Sequence, residues 1–159
     1  MNQKGLSRWL KFIILGIGLC GLIIYCLVIP VYGSYLAEEN PEYAYCFWPW
    51  AVFLWLTAVP CYIVLVLGWN ISSRIGQDRS FCRENAQSLK LISMLAAGDS
   101  IFFFFVNIIY LLIGMNHPGI VLVSLIVTFI GVSITVAAAA LSHLVMKASK
   151  LQEQSDLTI

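Results

Sequence analysis

One long polar interruption, Arg74 to Asp99 (RIGQDRSFCRENAQSLKLISMLAAGD), separates two stretches that are each apolar enough to cross a bilayer. Hydrocarbon offers no hydrogen-bond partner to a backbone N–H or C=O, so stretches of this kind fold as helices that satisfy their backbone internally. Composition agrees, with 60% hydrophobic and 11% charged residues in a chain of 159. Soluble domains run nearer half apolar and a quarter charged. The expected object is all-α: a four-helix transmembrane bundle of two antiparallel helical hairpins. The spans fall at about 11–32, 50–73, 91–114 and 120–143, with a central loop over 74–90.

The charges orient this bundle. All nine Lys and Arg lie at the N-terminus (Lys4, Arg8, Lys11), around the central loop (Arg74, Arg79, Arg83, Lys90) or in the tail (Lys147, Lys150). The first interhelical segment carries Glu38, Glu39 and Glu42 and no base. Bases flanking short loops stay on the cytoplasmic side, so both termini and the central loop are expected inside.

Several chemistries are disfavoured. The five cysteines (Cys20, Cys26, Cys46, Cys61, Cys82) form no CxxC, and only Cys46 falls in the acidic segment, so they read as small packing residues. Gly16 to Gly21 matches GxGxxG, but no strand precedes it, and the glycines read as close helix packing. His117 and His143 stand at opposite ends of one expected helix, about 39 Å apart, so no metal site is expected. HExxH, GxSxG and paired intramembrane carboxylates are absent. We therefore expect neither an enzyme nor a cofactor. The bases are too few and too close to lipid for direct nucleic-acid binding.

Along the chain, a basic amphipathic start leads into an apolar run long enough to be retained as a membrane helix. Pro30 and Gly33 are expected to end that helix. Tyr43, Tyr45, Trp48 and Trp50 read as an aromatic belt, with a ligand cage as the alternative. Pro60 is expected to kink the second span, with Thr57 helping to satisfy the backbone it frees. The third helix is expected to run unbroken from about Arg83 to Gly114, its first two turns outside the hydrocarbon. On its wheel Tyr110 lies about 20° from Asp99 and Asn107 about 80° away, which makes a partly polar stripe. Asp99 has two readings, polar glue between helices or ion and proton coupling, the latter with Asn107, Tyr110, Asn70 and His143 as candidate companions. In the fourth span Ser124, Thr128, Gly131, Thr135, Ala139 and Ser142 recur as a close-packing face for the bundle or for a homo-oligomer. The tail from Lys147 is expected to be polar and frayed.

The pattern Gly76-Gln77-Asp78-Arg79-Ser80-Phe81-Cys82-Arg83-Glu84-Asn85, followed by Leu89-Lys90, resembles the G-x-x-F-S-x-E-N-x-x-x-L signature of the DUF2975 family, YoaS-like bacterial membrane proteins of unknown function. This chain has extra residues before Phe81, and Cys82 where the pattern has a helix-capping Ser. The resemblance implies a bacterial plasma membrane and a neighbouring small helix-turn-helix regulator; it implies no catalytic residues. The leading expectation is a non-enzymatic interaction or regulatory component that presents Phe81, Arg83, Glu84, Asn85 and Lys90 to a partner. The alternative is a small transporter, or a subunit of one, that uses Asp99.

Overall fold

Helices account for almost all of residues 2–156, which a computed structural model describes. Four of them are long and apolar enough to cross a membrane. The first comprises α1 (Gln3–Ile23), one π-helical turn (Ile24–Val28) and α2 (Ile29–Glu39). A 3₁₀ segment (Pro41–Cys46) leads into α3 (Phe47–Gly76). The loop 77–82 then connects to α4 (Arg83–Leu112), and the turn 113–117 to α5 (Pro118–Asp156).

Pro30 and Gly33 do not end the first helix. Termination at that depth would strand backbone groups in hydrocarbon, and the chain instead widens into the π turn just before Pro30. Pro30 follows at once in a backbone that stays helical, so its missing N–H leaves a carbonyl of the π turn without a partner. Trp55 Nε1 donates to the carbonyl of Tyr25 in the π turn at 3.0 Å, which satisfies one acceptor that the widened turn exposes. Gly33 serves packing: a Cβ there would lie 2.6 Å from the Phe47 ring. The helix stops at Asn40, whose N–H and side-chain amide both donate to Leu36 O, because Pro41 pushes the preceding residue out of helical geometry.

α3 is continuous through Pro60. Thr57 hydroxyl donates to Leu54 O at 2.8 Å, not to the carbonyl of Leu56 that the proline crowds. α4 follows its expected course to within two residues. α5 does not fray at Lys147; it remains helical to Asp156, and the last part of the expected frayed tail, 157–159, lies outside the described residues. Val145 and Ser149, one turn apart, are still buried there, so the last turns have a face to pack. Its 39 residues span about 58 Å, well beyond the roughly 30 Å of hydrocarbon.

The bundle is an open row. α1 packs on α3, α3 on α4 and α4 on α5, with α2 folding back onto α3, and among the described residues α1 and α5 do not meet. The closest joint is α4 on α5. On α4 the buried Ala86, Ser93, Ser100 and Asn107 recur every seventh residue, as do Ser124, Gly131, Ala138 and Val145 on α5. Gly131 faces Ser100 so closely that a Cβ there would overlap its hydroxyl, and Ser142 Oγ donates to Ala86 O at 2.7 Å. With that antiparallel register the seventh-residue spacing sets Asn107 against Ser124 and Ser93 against Ala138. A seven-residue repeat of small residues keeps two helices in contact over many turns.

The start of α1, the end of α5 and loop 77–82 lie at one end, where Ser7 and Ser72 exchange hydroxyl-to-carbonyl bonds of 2.6 and 2.9 Å between α1 and α3. This is the basic end. At the opposite, acidic end, Tyr110 donates to Pro49 O (2.9 Å) and Trp50 Nε1 to Met115 O (3.0 Å), fastening α3 to the α4–α5 turn.

Candidate functional site

The motif at the basic end folds into a cross-braced clasp. α3 ends at Gly76, where a Cβ would meet Ser7 Oγ at 2.8 Å, and the chain turns through Asp78 in the left-handed region (φ 58°). The Gln3 amide, with its nitrogen turned inward, reaches Ile75 O (3.1 Å), Asp78 Oδ1 (3.2 Å) and Ser80 Oγ (3.1 Å). Asn85 closes the loop from the other side. Its Nδ2 donates to Arg79 O (3.2 Å) and Ser80 O (3.0 Å), and its Oδ1 accepts from Arg74 Nη1 (3.3 Å). The same guanidinium nitrogen reaches Ser88 Oγ at 3.4 Å. Asn85 is 1% exposed, so its amide braces the loop from within.

The other four motif residues expected to meet a partner lie outside this brace. Phe81 is 59% exposed, and Arg83, Glu84 and Lys90 are exposed along the start of α4. Glu84 pairs with Arg79 at 3.5 Å. Its carboxyl is held below the usual range first by its own backbone N–H, free at the helix start, then by the Cys82 thiol and Arg79. Cys82 occupies the N-cap position without making a side-chain cap.

Halfway along the row lies a second polar group. Asp99 is partly buried, with the Cys61 thiol of α3 at 3.9 Å from its Oδ2. Tyr25, in the π turn, belongs to a segment that among the described residues packs on α3 and not on α4, and Tyr62 hydroxyl donates to Gly18 O at 2.9 Å. The companions inferred from the helical wheel are elsewhere. Asn107 is about 12 Å along the axis, buried, and joined to Asn116 by bonds of 3.2 Å. Tyr110, about 16 Å away, is committed to Pro49 and to ring contacts with Trp50 and Phe53. Asn70 is exposed about 14 Å along α3 from Cys61. His143 is exposed beside Ser142, at the level of Ala86 and about 20 Å from the depth of Asp99. A wheel relates residues of one helix only, so it could not find Cys61.

The acidic end holds a cavity of about 650 Å³ between α2, the 3₁₀ segment, α3 and the α4–α5 turn. Tyr32, Asn40, Tyr43, Trp50, Asn116 and His117 are among the side chains that line it. The residues read as an aromatic belt therefore divide: Tyr43 and Trp50 line the cavity, whereas Tyr45 and Trp48 are exposed outside its lining. The sequence signal for it was the density of aromatic residues between Tyr32 and Trp50. The small stripe of α5 is likewise assigned. Ser124, Gly131 and Ser142 are turned toward α4, Thr128 and Thr135 are half-buried, and Ala139 is exposed.

A family model described as "Protein of unknown function (DUF2975)" matches residues 31–159. The chain is 29% identical, over 161 residues that cover the whole of both proteins, to the uncharacterized membrane protein YoaS of Bacillus subtilis (strain 168). No solved structure matches it.

Proposed function

The chain belongs to the DUF2975 family of membrane proteins, and from that premise we propose that it is a non-enzymatic, multi-pass component of a bacterial plasma membrane that presents its basic-end clasp to a cytosolic protein partner. The positive-inside bias assigns the basic end to the cytosol. The observation that supports this reading most is Phe81, a large apolar side chain 59% exposed on a loop that Asn85, Arg74 and Gln3 hold in one shape. A pre-ordered loop loses little entropy on docking, and an exposed aromatic flanked by Arg83 and Lys90 suits a partner with an apolar, carboxylate-bearing patch. A small helix-turn-helix regulator is the partner we favour.

The test is affinity purification from gently solubilised membranes. The Phe81→Ala, Arg83→Ala double variant is expected to insert normally and to lose the regulator that wild type retains. Equal retention by both, or none by wild type, would overturn the reading.

A second reading, a small transporter or transporter subunit, is favoured by one observation: Asp99 is partly buried in an apolar row, with the Cys61 thiol of α3 at 3.9 Å. In reconstituted vesicles Asp99→Asn is expected to abolish proton-coupled flux of the transported solute, and unchanged flux removes Asp99 from any such mechanism.

A further inference from the structure

The acidic-end cavity has a charge pattern that selects among occupants. Between Lys11 and Arg74 the chain has no Lys or Arg, and between Lys90 and Lys147 there is again none. The charged side chains of this end are thus Glu38, Glu39 and Glu42, all exposed. Each lies within two residues of a cavity-lining position: Ala37 and Asn40 flank the first pair, and Tyr43 follows the third. The lining is aromatic and aliphatic, with Tyr32, Tyr43, Phe47 and Trp50 contributing rings. No cation is at hand to receive a carboxylate or phosphate.

We propose that this cavity binds a hydrophobic organic cation, a molecule whose positive charge is quaternary or delocalised and carried inside an apolar shell. Three features on the page meet in that class. The volume, about 650 Å³, is in the range of sites that enclose a small organic molecule. Aromatic rings attract a cation through their quadrupole while burying its apolar surface, and they do so best where water is excluded. The three carboxylates, none of them in the lining and Glu39 already accepting the Tyr35 hydroxyl, raise the concentration of cations around this end without making a direct ion pair that would demand a small, strongly hydrated ammonium. Asn40, Asn116 and His117 add hydrogen-bonding groups at one rim but no fixed positive charge. An anionic amphiphile of the same shape would meet the carboxylates and no counter-charge. The inference is independent of the clasp and its partner.

Tetraphenylphosphonium and tetraphenylborate are near-identical in shape and opposite in charge, which makes them the discriminating probes. With the full chain purified in an uncharged maltoside detergent, calorimetric titration is expected to give one tetraphenylphosphonium site per chain. Tetraphenylborate should bind at least tenfold more weakly after subtraction of empty micelles. Tyr43→Ala, a change at an exposed ring, should weaken the cation at least fivefold. The Glu38→Gln, Glu39→Gln, Glu42→Gln triple variant should narrow the gap between the two ions. Ala37→Trp, which fills the cavity from α2, should abolish binding, with monodisperse elution and an unchanged melting temperature showing that the fold survives. Equal affinity for both ions, an absent phosphonium site, or binding that Ala37→Trp leaves intact would each overturn the proposal. Should Ala37→Trp disturb the fold, the Tyr43→Ala and triple-Gln titrations decide alone.

Discussion

Asn85 shows how a single side chain can matter to recognition without touching anything recognised. It gives both amide hydrogens to loop carbonyls and its oxygen to Arg74. Asn85→Ala leaves two carbonyls and a guanidinium short of partners, a loss of about 1–3 kcal/mol. Because each 1.4 kcal/mol is about tenfold in an opening equilibrium, trypsin should nick that variant after Arg79 about ten- to a hundredfold faster than wild type. Phe81→Ala should be nicked at the wild-type rate, and a variant pair that behaved alike would mean that the clasp does not depend on Asn85. The sequence marks Asn85 as part of a polar motif, but it cannot show whether such a residue points outward or inward. Asp99 carries the same lesson. Its oddity in an apolar run is plain from the sequence, whereas Cys61 reaches it only through packing between helices.

Among the elements, helix type was legible and helix ends were less so. Hydropathy marks four spans, but it gives Pro30 and Pro41 the same weight, and depth in the bilayer decides between them: one is absorbed by a π turn and the other ends a helix. The α4–α5 seam was half-visible, since the small residues of α5 stand out while Ala86, Ser93, Ser100 and Asn107 do not look like a stripe until the partner helix is known. Gly131→Val should crowd Ser100 and destabilise the pair by about 1–3 kcal/mol, read as a melting temperature several degrees lower in detergent. Ser100→Gly in the same chain should restore most of that loss. If the double variant melts no higher than Gly131→Val alone, the two positions do not share the joint.

At the scale of the whole molecule, charge and hydropathy suffice to derive four spans and two oppositely charged ends, but the open row is set by side-chain fit and has no sequence signature of its own. Orientation is tested with the cysteines that mark the two ends. In chains retaining one cysteine, an impermeant maleimide should label Cys46 in intact cells and Cys82 only after permeabilisation, and the reverse pattern would invert the assignment of the clasp. The row also bears on how the protein is made. Because, among the described residues, each span touches only the span before and after it, no contact waits for the last span to find the first, and assembly can keep pace with synthesis one neighbour at a time. Two half-chains divided within 77–82 and produced together should therefore find each other in the lipid, since what must be remade is the α3–α4 face with the clasp at one end and the Trp50–Met115 bond at the other.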